Sequence, residues 1–93
     1  MVPRKRTRLE IVEAILEYLV NSGGEAPATR VATANGLAYD RLMSLVEDLQ
    51  DKGILLVNSV EGRKILVVTP RGLELLSELR RLRRVIRDFG LDF

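Results

Sequence analysis

The apolar positions of this chain follow a helical pattern three times, become β-rich, and then return to a helical pattern. From Arg8 to Val20 they fall at Ile11, Val12, Ile15, Leu16 and Leu19, the stripe of an amphipathic helix. Asn21-Ser22-Gly23-Gly24 stops that helix, and Pro27 precedes a short one over roughly Ala28 to Ala34. An Asn35-Gly36 turn leads into a third helix, about Ala38 to Lys52, which turns Leu42, Leu45, Val46 and Leu49 inward and ends at Gly53. Two β-rich runs follow, Ile54 to Val60 and Lys64 to Thr69, flanking the polar turn Glu61-Gly62-Arg63. Thr69 then caps a last helix with Pro70 at its first position, where no amide partner is needed, and the helix runs to about Phe89.

A short helix, a tight turn and a second amphipathic helix make a helix-turn-helix, and the hairpin behind it makes a winged helix. The expected fold is therefore mainly α with a small β-hairpin: a winged helix-turn-helix with a long C-terminal coiled-coil helix. In that last helix Leu75, Leu79, Leu82, Ile86 and Phe89 are spaced 4, 3, 4, 3, a heptad seam, while Leu73 and Leu76 lie off the seam and are expected to pack on the domain. With 93 residues the chain can bury one modest core, and a second copy would add buried surface. The seam predicts a homodimer. Glu78 and Arg83 could pair across either a parallel or an antiparallel seam, so charge alone leaves its orientation open. The expected division is a basic N-terminal arm over 1–8, a winged-helix domain over 9–72 and a dimerisation helix with its tail over 73–93.

Composition narrows the chemistry. There is no cysteine and no histidine, which removes disulfides, thiol and imidazole catalysis and the usual zinc sites. No carboxylate pair or phosphate-binding loop stands out, so no enzyme, cofactor or metal is expected. Without a long apolar run or the apolar core of a signal peptide, an intracellular, cytoplasmic protein with no membrane partner is expected. Arginine-rich, amide-poor composition without Cys or Trp fits a thermophile, and equally a GC-rich genome.

The formal net charge of +2 hides an uneven distribution. Arg4, Lys5, Arg6 and Arg8 stand at the start without an acid, whereas residues 9–51 set Arg30 and Arg41 against Glu10, Glu13, Glu17, Glu25, Asp40, Glu47, Asp48 and Asp51. Lys52, Arg63, Lys64 and Arg71 then face Glu61 alone, and Arg80, Arg81, Arg83, Arg84 and Arg87 crowd the last helix. Positive charge on an arm, a wing and a tail helix suits a protein that grips a phosphate backbone. Arg4, Lys5 and Arg6 are the candidate contacts of the arm, and Arg63 and Lys64 those of the wing. Two adjacent bases at a turn also occur simply to keep a tip solvated. Glu10, Glu13 and Glu17 read as a solvated helix face rather than a metal or catalytic site.

The first turns of the third helix carry the candidate base readers Tyr39, Arg41 and Ser44, because the N-terminal residues of a recognition helix enter the major groove. Asp40, Glu47, Asp48 and Asp51 make the same helix net acidic, which would repel phosphate. Asp40 also suits the positive end of the helix dipole.

The runs RTRLEIVEAIL, TRVATANGLAYDRLMSLVEDLQDKGIL and VVTPRGLELL, in this order and spacing, resemble the archaeal winged-helix family that includes the ten-kilodalton crenarchaeal chromatin-associated proteins, over Arg6 to about Phe89. Small winged-helix proteins of archaeal viruses look similar, so the resemblance fits a cellular or a viral origin. It implies a winged helix that binds double-stranded DNA and whose long C-terminal helix forms an antiparallel coiled-coil dimer over Leu75 to Phe89. Carried onto this chain, it places Thr29 and Arg30 at the opening of the second helix near the DNA backbone, and Tyr39 and Arg41 on the recognition helix. Where the family pattern often has a capping Ser before that tyrosine, this chain has Ala38, forgoing a cap worth ~1 kcal/mol. The expected function is a dimeric winged-helix DNA-binding protein, a transcriptional regulator or an architectural chromatin protein of the nucleoid. The alternative is a winged-helix module that binds proteins without touching DNA.

Overall fold

Thr7 sets the start of the first helix. Its hydroxyl accepts from the Glu10 amide at 3.1 Å and its own amide donates to the Glu10 carboxylate at 3.3 Å, a reciprocal capping box that satisfies donors the helix itself cannot. The computed structural model describes residues 6–91. Its elements are α1 (Arg8–Asn21), β1 (Glu25–Pro27), α2 (Ala28–Ala34), α3 (Tyr39–Asp51), β2 (Leu55–Val60), β3 (Arg63–Val68) and α4 (Pro70–Asp88). The helices and the hairpin fall where the sequence pattern places them, to within a residue or two at their ends.

The core is built from the expected faces. Ile11, Val12, Ile15, Leu16 and Leu19 of α1 and Leu42, Leu45, Val46 and Leu49 of α3 are all buried, joined by Val31 of α2, Leu55 and Leu66 of the hairpin and Leu76 of α4. Each such aliphatic side chain contributes roughly 1.5–3 kcal/mol through removal from water. The α2–α3 turn closes when the Leu37 amide reaches back to the Ala32 carbonyl at 2.9 Å, with Gly36 at φ +64°, a left-handed position that favours glycine. Ala38 precedes α3 with no side-chain cap, as its methyl dictates. At the wing tip Glu61 and Gly62 both take positive φ, 51° and 76°, between the paired residues Val60 and Arg63. Two left-handed residues in a two-residue connection suit the right-handed twist of a hairpin.

Three features differ from the sequence expectation. First, the hairpin has a third strand: β1 pairs antiparallel with β3 (Glu25 with Val67, Ala26 with Leu66, Pro27 with Ile65), giving the order β1-β3-β2. Pro27 can sit there because β1 is an edge strand, where a missing amide costs nothing. Second, Leu73 does not pack on the domain. It is 47% exposed, whereas Leu76 is 2% exposed, because the contact face of α4 is fixed by Gly72 and Leu76. Third, the acidic face of α1 is only partly solvated. Glu13 is buried to 8% exposure and is clasped by Arg83, while Glu17 meets Arg80 at 3.3 Å, so α4 lies antiparallel along α1. The Glu13 carboxylate, through hydrogen bonding and its charge, raises the affinity of the Arg83 guanidinium for its proton.

Of the seam residues, Leu75, Leu79 and Ile86 are half-buried in the single chain, and Leu82 and Phe89 are exposed. Among the described residues, no helix is long and apolar enough to cross a membrane.

Candidate nucleic-acid interface

The short strand β1 decides where α2 begins. Because Pro27 pairs with Ile65, the first turn of α2 starts beside the last residues of the wing tip, and α3 enters the same space through its first residue. The result is a cleft lined by Pro27, Ala28, Thr29, Arg30, Thr33, Tyr39, Gly62, Arg63 and Lys64. Five of the sequence candidates, Thr29, Arg30, Tyr39, Arg63 and Lys64, thus meet in one place although they come from three elements far apart in sequence. The lining holds three cations and no acid. Among the described residues, Arg30, Arg63 and Lys64 form no ion pair, so their charge is directed to solvent. Tyr39 adds an aromatic face at 40% exposure. Such a surface can hold phosphate oxygens by charge and by hydroxyl and guanidinium hydrogen bonds.

Arg41 and Ser44 lie elsewhere. They line a second cleft, between the start of α1 and α3, with Arg8, Ile11, Leu37 and Leu45. Arg8 also belongs to an ion cluster: Asp48 takes a hydrogen bond from Lys52 one turn on and another from Arg8 at 2.6 Å. These two contacts hold the Asp48 carboxyl below the usual carboxylate range, so it is charged throughout the neutral region and loses its grip only when pH falls through that lowered value. Arg6 donates to the Asn35 carbonyl at 2.5 Å and so lies against the helix-turn-helix turn. Arg4 and Lys5 fall outside the described residues. The Asp48 cluster leads to a prediction. Asp48→Asn removes the anion that occupies Arg8 and Lys52, so affinity for any duplex is expected to rise, with the salt slope steepening by about 1 for each cation that turns to phosphate. Unchanged binding across a salt titration would show that these side chains stay away from nucleic acid.

The outward face of α3 is acidic. Asp40, Ser44, Glu47 and Asp51, at steps of 4, 3 and 4, stand exposed opposite the buried leucines. Between this helix and the wing runs a groove lined by Tyr39, Asp40, Met43, Ser44, Glu47, Gln50, Val57 and Lys64. Gln50 fixes its far end, accepting from the Val57 amide at 3.0 Å and so tying the recognition helix to the edge of the wing. Tyr39 stands at the border of the basic cleft and the acidic groove, and Ser44 at the border of the groove and the Arg8–Arg41 cleft. The predicted trio on α3 therefore divides over three surfaces.

Sequence reading missed Gln50, the pinning of Arg8 by Asp48 and the Glu13–Arg83 pair. Each joins residues from different elements; the adjoining Asp48–Lys52 contact alone carries a local signal, its four-residue helical spacing. No group of acids that could hold a metal ion exists among the described residues.

The solved structures include close matches of the whole arrangement. Sso10a-2, a DNA-binding protein from Sulfolobus solfataricus, superposes with a TM-score of 0.76 at 24% identity, covering 91% of this chain and 86% of that one. F93 from STIV, a winged-helix DNA-binding protein, gives 0.73 at 24% identity over 84% of this chain and 90% of that one. A transcriptional regulator homologue from Pyrococcus horikoshii OT3 gives 0.76 at 24% identity over 89% and 84%. No curated protein matches the sequence significantly. At these identities the structural likeness establishes the fold. The sequence itself matches the winged helix-turn-helix family model over residues 5–87, and with that match spanning nearly its whole length, the chain belongs to the winged helix-turn-helix family.

Proposed function

We propose that this chain is a dimeric winged-helix DNA-binding protein, a transcriptional regulator or an architectural chromatin protein of the nucleoid, that acts by binding and catalyses no reaction. The observation that carries this reading is the acid-free cleft in which Arg30, Arg63 and Lys64 converge with Thr29 and Tyr39. The proteins of similar fold named above support it, two being DNA-binding proteins and one a transcriptional regulator homologue. In this reading the cleft and the basic arm over residues 1–8 hold the duplex backbone, the first turn of α3 faces base edges, and the helix over 73–93 joins two copies.

The test is a salt titration of duplex binding. Replacing Arg30, Arg63 and Lys64 together by Ala is expected to weaken binding to specific and random duplexes alike and to reduce the slope of log affinity against log salt by about 2–3 for each winged helix engaged, roughly 1 per cation removed. Loss confined to one sequence would assign these residues to base reading instead.

One observation favours a second reading. The exposed carboxylates Asp40, Glu47 and Asp51 give α3 a surface that repels phosphate and attracts a basic protein. If the parent protein bound no duplex at low salt, the module would be a protein-binding winged helix.

A further inference from the structure

α4 is attached to the rest of the molecule in two stages. Its root is packed: Gly72 and Leu76 are buried, and Leu75 lies against the core. Its second half, from Arg80 onward, is exposed apart from half-buried Ile86. What joins that half to α1 is charge. The Arg83 Nε donates to both oxygens of Glu13 at 2.7 Å each, a second guanidinium nitrogen lies 2.5 Å from the same carboxylate, and Arg80 meets Glu17 one turn closer to the root. Glu13 is the one charged residue among the buried positions described, and its side chain is 11% exposed.

Glu13 is buried but the Arg83 side chain is 44% exposed, so solvent screens the attraction and the pair adds little net stability, while its two-point fork fixes direction. A packed root alone leaves a helix free to pivot. A fork two turns further out removes that freedom. In a dimer joined by α4, the angle at which α4 leaves α1 sets the distance between the two DNA-facing clefts. We propose that the Glu13–Arg83 pair is the positioning element that locks α4 as a rigid lever and thereby sets the length of duplex that both winged helices of the dimer can engage at once. This inference rests on the dimeric DNA-binding function proposed above.

Two measurements test it, one of which needs no DNA. The chain lacks cysteine, so A34C on α2 and D88C on α4 give two unique sites for spin labels, and dilution with unlabelled protein isolates the distance within one chain. The expected distribution is narrow in the parent and broadened in Glu13→Gln, where a neutral amide replaces the two-point acceptor. The second measurement is affinity for blunt duplexes lengthened one base pair at a time. The parent is expected to gain affinity in one sharp step, on the order of a hundredfold, at the length that admits both units, because the second contact is intramolecular. In Glu13→Gln the step should spread over several base pairs, with affinity for the shortest duplexes unchanged. Arg83→Lys, which keeps the charge and loses the fork, should reproduce both effects and serves if Glu13→Gln proves poorly folded by circular dichroism. A narrow distribution or an unaltered step in the folded variants would overturn the lever. A parent that sediments as a monomer, or binds no duplex, would instead overturn the function on which the lever depends, and the lever with it.

Discussion

Replacing Gly72 by Ala is expected to destabilise the fold by about 2–3 kcal/mol and to lower Tm by roughly 10–20 °C. Gly72 stands in the first turn of α4, directly over the loop that joins α3 to β2. A Cβ at this position would lie 2.2 Å from the Ile54 carbonyl oxygen and 3.0 Å from a methyl of Val68. The nearer atom is backbone and cannot swing aside. That same carbonyl accepts from the Thr69 amide at 3.3 Å and lies 2.8 Å from the Thr69 hydroxyl, so pushing it away also disturbs the cap of α4. The helical preference of Ala over Gly returns at most ~1 kcal/mol, too little to offset the clash. The measurement is thermal unfolding at one fixed protein concentration, because association makes Tm depend on concentration. Ser77→Ala, at an exposed position of the same helix, is the control and should leave Tm within a degree or two. A Gly72→Ala protein that melts with the parent would show that α4 does not approach the loop this closely.

The same short segment illustrates how far the residues alone can be read. Thr69 and Pro70 announce the start of α4 through local chemistry, a hydroxyl cap and a ring suited to the first position, and the structure places both there: Thr69 accepts from the Gly72 amide at 3.0 Å. The reason for Gly72 is a neighbour eighteen positions earlier, and no local pattern encodes it. The division recurs elsewhere. Buried stripes with a helical period, such as Ile11 to Leu19 and Leu42 to Leu49, are properties of one element and were legible. Leu73 is exposed although it lies off the seam, because spacing along a helix does not say which side its root will dock. The strand β1 has no signature in the sequence because three residues, one of them Pro27, are too short to show alternation; it forms because β3 offers an edge. At the candidate site the residue types Thr29, Arg30, Tyr39, Arg63 and Lys64 were legible, but their convergence depends on β1. Sequence proximity groups Arg41 and Ser44 with Tyr39; in the structure Ser44 shares the groove beside the wing with Tyr39, while Arg41 lines the Arg8 cleft. Glu13 looked like its neighbours Glu10 and Glu17 because burial of a charge shows only once its partner, seventy positions away, is in place.

Leu82→Asp combined with Phe89→Asp is expected to abolish dimerisation while leaving the single chain folded. The argument begins from exposure. In one chain Leu82 is 53% and Val85 44% exposed on the far half of α4, and Phe89, which caps it, is 76% exposed, an apolar strip on a protein too small to leave such a surface open without cost. The two chosen residues touch little within the chain, so carboxylates there are solvated in the monomer. In a seam formed by two α4 helices each would be buried without a partner, at a cost of several kcal/mol per dimer. Sedimentation should therefore shift from dimer to monomer, with Tm of the monomer near that of an equally dilute parent. The larger consequence concerns DNA. In the proposed dimer, two clefts joined by one seam would bind a duplex with the second contact made intramolecularly, an advantage on the order of 10²–10⁴ in affinity that would vanish when the copies separate. The variant should thus bind long duplexes no more tightly than short ones, while its salt slope falls toward that of a single cleft. Two results would refute the seam: a parent already monomeric at tens of micromolar, roughly where a weak dimer dissociates, or a double variant that remains dimeric, which would move the interface to another face of the molecule.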